Sequence, residues 1–214
     1  MMLSEQQRAF FEIFGYLRLP GLMADVIGEI DAAFTATFAE YPGEIVEWVH
    51  ETHENRMRRF ISGVTGKNDF LDALTREPRI AGLASALLGE DYVFRGSDCS
   101  IYDCGTLFHK DAYGANLAYT NIKMALYLEP IDEHSGAIRV IPGSHHRGDK
   151  FVRQLNPHVE SGFRDLGLST GQVPSTVLPS EPGDLLLWNY RLIHATQYGG
   201  NQRRMLALEF SENY

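Results

Sequence analysis

Two stretches in the second half of the chain hold the residues whose types and spacing could do chemistry. Leu107-Phe108-His109-Lys110-Asp111 places an imidazole and a carboxylate two positions apart. Gly183-Asp184-Leu185-Leu186-Leu187-Trp188 leads to Ile193-His194, and Arg203-Arg204 follows. Two imidazoles and one carboxylate on one face of a ferrous ion leave the opposite positions open for a chelating co-substrate and O₂. An arginine on an apolar strand adds a fixed cation that can grip a carboxylate through parallel hydrogen bonds.

Context selects these residues from several alternatives. With 8 histidines and 28 acids in 214 residues, chance supplies about one His-x-Asp/Glu match. The chain has two, His109-Lys110-Asp111 and His158-Val159-Glu160. In an extended segment residues i and i+2 point to one side, so His109 and Asp111 can aim at one ion from a strand end while Lys110 faces away. His194 lies just beyond the apolar strand 185–188, a firmer support than a loop. His158 follows Asn156-Pro157 in what reads as a long loop. His50 and His53 sit in a polar stretch that reads as a solvated face. His145 and His146 follow Pro142-Gly143-Ser144 and read as a turn.

Strand parity separates the two arginines. In 203–211, Arg204, Leu206, Leu208 and Phe210 share one face, which a helix layer would cover. Arg203, Met205, Ala207 and Glu209 share the other, which suits a barrel interior. Arg203 is therefore the candidate partner for a buried anion, and Arg204 reads as a strand-end residue reaching water.

These residues need a scaffold, and the rest of the chain supplies one. Ser4-Glu5-Gln6-Gln7 is a capping-box pattern, and Gly15 can end the helix it starts. Residues 24–41 keep an apolar stripe at helical spacing until Pro42-Gly43. Asn68 or Asp69 caps a short helix, and Pro78 starts another that ends at Gly89. From Tyr92 short strand-like runs alternate with turn signals, at 92–102, 121–129, 137–141, 173–178, 184–188, 192–196 and 203–211. Strands in series without intervening helices argue a sandwich or jelly roll. The segment 142–172, rich in His, Gly, Asn and Ser, reads as a long loop.

Composition narrows the function classes. The apolar fraction is 44% and the charged fraction 22%, those of an ordinary soluble globular protein. A net charge of -9 argues against a nucleic-acid or anionic-membrane surface. Cys99 and Cys104 do not make a disulfide framework. No secretory signal is visible, and no apolar run approaches the about 20 residues a membrane helix needs. A cytoplasmic protein acting on a small molecule is the expectation, with the oligomeric state open.

At this point the chain resembles the phytanoyl-CoA dioxygenase family of Fe(II)- and 2-oxoglutarate-dependent oxygenases. The resemblance rests on Phe14-Gly15-Tyr16-Leu17-Arg18-Leu19-Pro20-Gly21, His109-Lys110-Asp111, and Ser135-Gly136-Ala137-Ile138-Arg139-Val140-Ile141-Pro142-Gly143-Ser144-His145. Pro182-Gly183-Asp184-Leu185-Leu186-Leu187 with His194, and Arg203 with its strand, complete it. No single motif decides, but their order and spacing are specific. The resemblance implies a mainly β fold with N-terminal helices, a double-stranded β-helix (jelly-roll, cupin-like) core packed against helices. It implies one domain over 1–214, with 1–90 mainly helical support and 91–214 the core. It implies iron ligands His109, Asp111 and His194, and a 2-oxoglutarate site with Arg203, Thr196 and Ser97. The implied reaction is hydroxylation of an aliphatic C–H with release of succinate and CO₂. Related halogenases have a small residue where Asp111 stands, so a carboxylate favours hydroxylation, desaturation or ring closure. Ala125 stands where some members carry a bulky aromatic, and the stretch from His194 to Arg203 is short.

Two other readings compete. A cupin-like metalloenzyme that does not use 2-oxoglutarate would have no need of Arg203 and Thr196. A non-catalytic jelly-roll binding module would have no need of a complete ligand triad. Lys123, Tyr127, Arg139, Tyr113 and Asn116 are the candidate substrate-pocket groups.

Overall fold

The fold is that of a computed structural model, which describes residues 3–49, 57–111, 115–199 and 202–214. Its centre is a pair of facing antiparallel sheets. The strands are β1 (Tyr16–Leu19), β2 (Val46–Val49), β3 (Met57–Ser62), β4 (Val93–Tyr102), β5 (Thr106–His109), β6 (Asn121–Tyr127), β7 (Ser135–Val140), β8 (Thr176–Leu178), β9 (Leu185–Asn189), β10 (His194–Tyr198) and β11 (Arg203–Ser211). The larger sheet has 7 strands in the order β1-β9-β6-β11-β4-β3-β2, and the smaller has 4 in the order β5-β10-β7-β8. This is a double-stranded β-helix with helices on one side.

Side-chain alternation explains the layering. Every residue of β6 is buried, as a central strand covered on both faces requires. Its Ile122, Met124 and Leu126 join Leu206, Leu208 and Phe210 of β11 in the cluster that meets the helices. Ala125 and Tyr127 join Met205 and Ala207 in the cluster between the sheets. Strand β9 divides likewise, with Leu185 and Leu187 outward and Leu186 and Trp188 inward.

The helices cover the outer face of the large sheet. Helix α1 (Glu5–Phe14) begins with the Ser4–Gln7 capping box and ends at Gly15, whose φ of 84° is left-handed. Helix α2 (Ile27–Glu40) buries Ile30, Ala33, Phe34 and Thr37. It starts at Ile27, three residues later than the apolar stripe suggests, and Val26 before it makes no side-chain cap. In α3 (Asp69–Leu74) the Asn68 side chain caps two backbone N–H groups, and α4 (Pro78–Leu88) has Pro at its start and Gly89 at its end.

One expectation needs an addition and another a correction. The first 90 residues hold α1 to α4, and they also supply β1, β2 and β3 to the large sheet. Strand β1 is only four residues long and lies between a glycine cap and Pro20-Gly21, while β3 is diluted by Arg58 and Arg59. The segment 142–172 is not one loop. It holds α5 (Lys150–Val159), started by Asp149, whose carboxylate accepts from the Phe151 N–H, and two short 3₁₀ turns at 164–166 and 170–172. Polar residues on its outer face and Pro157 near its end masked the helix. Among the described residues no helix is long and apolar enough to cross a membrane.

Candidate metal centre

Strands β5 and β10 pair so that His109 lies directly opposite His194, and their rings are 4.4 Å apart. Asp111 follows the end of β5, and its N–H donates to the carbonyl of Tyr190 at 3.0 Å. One ligand atom from each of His109, Asp111 and His194 falls within 4.8 Å of the others. This is the one such group among the described residues. His194 is 5% exposed and Asp111 2%.

The histidines are set for metal by their backbones. His109 Nδ1 donates to the carbonyl of Leu107 at 2.7 Å, and His194 Nδ1 to that of Leu192 at 2.9 Å. A carbonyl only accepts, so each Nδ1 carries the proton and each Nε2 keeps its lone pair, the usual state of a metal-binding imidazole. Burial lowers the pKa of both rings, and for His194 the value is about 4. The 3.8 Å approach of His194 Nε2 to Asp111 Oδ2 is therefore a contact between a neutral imidazole and a carboxylate at neutral pH, not an ion pair.

Asp111 stays ionised. Burial pushes its pKa up, but Lys123, the two histidines and the Trp188 indole outweigh this and hold it below the usual carboxylate range. Trp188 Nε1 donates to Oδ2 at 2.8 Å, and Lys123 Nζ lies 3.4 Å from Oδ1. These two supports are cross-strand neighbours, Lys123 on β6 opposite Trp188 on β9. The sequence reading missed their role. Inward parity of Trp188, two positions after Leu186, was the signal for it.

Arg203 completes the cavity that His109, Asp111, His194 and Thr196 also line. It is 1% exposed. Nη1 donates to the carbonyl of Gly136 at 2.7 Å, while Nε has no partner. Its guanidinium lies near the rings of Tyr102 and Tyr127, 4.9 and 5.8 Å from their centres. Among the described residues no carboxylate pairs with it. An uncompensated buried cation is costly, so this site calls for an anion. Thr196 sits two residues after His194, with its hydroxyl 3.3 Å from that of Thr106. Arg204 takes the opposite face and pairs with Glu129 and, at 2.5 Å, with Asp31.

Space for Arg203 depends on Gly136. A Cβ there would stand 1.8 Å from Arg203 Nη1, and φ is 93°. Gly136→Ala should displace the guanidinium and destabilise the protein by about 1–3 kcal/mol, the range for overpacking and backbone strain. A denaturant midpoint equal to the wild type would show that Arg203 has room to move.

Ser97 does not join this cavity. It stands opposite Leu208 in the β4–β11 ladder, on the helix-facing side. Its hydroxyl accepts from the Thr65 N–H at 3.2 Å. The other histidines are also elsewhere. His158 pairs with Asp165 at 2.5 Å on and beyond α5, and His145 and His146 hydrogen-bond the carbonyls of Glu12 and Ile13. His50, His53 and Tyr113 lie outside the described residues. Of the pocket candidates, Tyr127 and Lys123 line the cavity, whereas Arg139 is bound to Ser175 and Gln197. Asn116 caps the Ala118 N–H.

A double-stranded β-helix that gathers two histidines and a carboxylate inside its barrel has the architecture and donor set of the non-haem iron oxygenases. The chain belongs to the phytanoyl-CoA dioxygenase family, whose model matches residues 11–205. No curated protein is a sequence match. Solved structures are similar throughout. The non-haem α-ketoglutarate-dependent epimerase SnoN from nogalamycin biosynthesis is 20% identical, with a TM-score of 0.75 over 97% of this chain and 82% of that one. The carbocyclase SnoK of the same biosynthesis is 18% identical, with a TM-score of 0.75 over 98% and 84%. EctD from S. alaskensis, crystallised with 2-oxoglutarate and 5-hydroxyectoine, is 19% identical, with a TM-score of 0.72 over 98% and 76%. At these identities the likeness establishes the fold.

Proposed function

We propose that this chain is an Fe(II)- and 2-oxoglutarate-dependent dioxygenase that hydroxylates an aliphatic C–H of a small metabolite. The balance is R–H plus 2-oxoglutarate plus O₂, giving R–OH plus succinate plus CO₂. The observation that carries this reading is Arg203, a buried cation in the cavity of the His109–Asp111–His194 group that has no carboxylate partner among the described residues. A cupin-like enzyme without 2-oxoglutarate, or a binding module, would need some other anion to compensate it.

The donor set fits a ferrous ion: two imidazole Nε2 atoms with free lone pairs and one ionised carboxylate. His109, Asp111 and His194 would hold it. Bound there, the ion supplies the redox chemistry that couples oxidation of the 2-keto acid to oxidation of the C–H bond. The chain does the rest. Arg203, assisted by the Thr196 hydroxyl, would take the distal carboxylate of 2-oxoglutarate and fix its orientation. The Leu107 and Leu192 carbonyls hold the imidazoles in one tautomer, and Trp188 orients Asp111. Leu186, Ile138 and Met205 form an apolar wall between the sheets that keeps water out. The epimerase and carbocyclase among the structural neighbours make epimerisation or ring closure at a C–H carbon the rival outcome at the same site.

Adding 2-oxoglutarate to the Fe(II)-loaded protein under anaerobic conditions should produce a weak visible charge-transfer band that needs both components. Iron binding without that band would instead favour an enzyme that does not use 2-oxoglutarate. A screen of small metabolites scored by succinate release would then separate hydroxylation from the other outcomes by product mass.

A further inference from the structure

The cavity of the metal centre has a larger neighbour of about 600 Å³, and Arg58 and Lys123 line both. Trp48 and Phe60 give the larger cavity an aromatic wall, and Asp98 and Glu209 give it carboxylates. Its volume is that of a site for a small organic ligand. Lys123 stands where the two spaces meet and is 6% exposed. Its Nζ lies 3.4 Å from Asp111 Oδ1 and 3.2 Å from Glu209 Oε1. Sheet register sets this arrangement, since Lys123 pairs with Glu209 on one side and with Trp188 on the other.

The result is a row of three charges: the carboxylate at the metal centre, a buried ammonium, and a carboxylate of the neighbouring cavity. The ammonium is shared. A dication at His109, Asp111 and His194 competes with Lys123 for the charge of Asp111, and Glu209 competes with Asp111 for Lys123. We propose that Asp111, Lys123 and Glu209 form an electrostatic link through which the contents of the larger cavity set how tightly the centre holds its metal, with Lys123 as the positioning residue. This link rests on the metal reading above. An anionic group that reaches Lys123 from the larger cavity draws the ammonium off Asp111 and tightens metal binding. Linkage then requires the metal to tighten the binding of that ligand by the same factor.

The link predicts opposite signs for two substitutions, which a purely structural role for Lys123 does not. Co(II) serves as the probe, titrated calorimetrically into metal-free protein whose folding is checked by thermal melting. Lys123→Met removes the competing cation and should tighten Co(II) binding by roughly tenfold, a modest value for one partly buried unit charge. Glu209→Gln removes the carboxylate that competes with Asp111 for Lys123 and should weaken it by a similar factor. Lys123→Arg keeps the charge and should stay near the wild type. If Lys123 only braced Asp111, its loss would weaken Co(II) binding. Weakened or unchanged binding in folded Lys123→Met therefore overturns the link, as does unchanged or tighter binding in Glu209→Gln. An Arg variant that behaves like the Met variant also overturns it. Should Lys123→Met fail to fold, Glu209→Gln decides alone. Failure of the wild-type chain to bind Co(II) would overturn the metal reading and the link together, whereas wild-type binding unmoved by the substitutions overturns the link only.

Discussion

The His194→Ala protein should bind ferrous ion at least about a hundredfold more weakly than the wild type and form no succinate. The proposed centre has three protein ligands, so losing one leaves two, and even supporting residues beyond the ligands commonly change metal affinity about ten- to a hundredfold. Asp111→Ala should fail in the same way, with the added loss of the negative charge that balances the dication. Folding need not suffer, because a neutral buried imidazole replaced by a methyl group leaves no unpaired charge. His158→Ala is the control. Its ring pairs with Asp165 away from the centre, and its loss should leave iron binding intact. Anaerobic calorimetric titration with Fe(II) reads all three variants. Wild-type affinity in His194→Ala would dismiss the centre, whatever its geometry.

Much of this site was legible in the sequence because β-structure has a period of two. The alternation in 203–211 placed Arg203 and Met205 inward and Leu206, Leu208 and Phe210 toward the helices, and the clusters divide in that way. The same rule put Thr196 on the side of His194, and both line one cavity. What alternation within one strand does not convey is which neighbour each residue meets. Lys123, Trp188 and Glu209 form one row only because β6 lies between β9 and β11. That order joins strands distant in sequence, and no local pattern encodes it.

Ser97 illustrates the same limit from the other side. It is a polar strand residue, and its type alone suits a co-substrate contact. Register places it opposite Leu208, so its hydroxyl serves the turn at Thr65 instead. Helix α5 escaped for a different reason. Val152, Leu155 and Val159 do fall at helical spacing, but Pro157 and the surrounding Gly, Asn and Ser are loop signals that outweigh so short a stripe. Strand β3 carries Arg58 and Arg59 where apolar residues would mark a strand. Arg58 is nevertheless buried, because Asp98 and Ser100 of the neighbouring strand β4 accept hydrogen bonds from its guanidinium.

Arg203→Ala should raise the apparent KM for 2-oxoglutarate about ten- to a hundredfold, the equivalent of the roughly 1.5–3 kcal/mol that a hydrogen bond to a charged group contributes. Arg204→Ala should leave KM near its wild-type value. The contrast follows from the two environments. Arg203 is buried in the cavity of the proposed iron ligands, with Nε unpartnered and, among the described residues, no carboxylate paired with it. Arg204 already has Glu129 and Asp31, and breaking such partly exposed pairs costs about 0–1 kcal/mol of stability. Arg203→Lys adds a geometric test. An ammonium keeps the charge but lacks the planar fork, and its shorter reach leaves the Gly136 carbonyl without its donor. Its KM should therefore fall between those of the wild type and Arg203→Ala. Succinate release at varied 2-oxoglutarate, with substrate-free turnover as a baseline, measures the series. If Arg204 proved the sensitive position, the face of β11 that binds the co-substrate would have to be the helix-facing one. The inward cavity would then need another anion to neutralise Arg203.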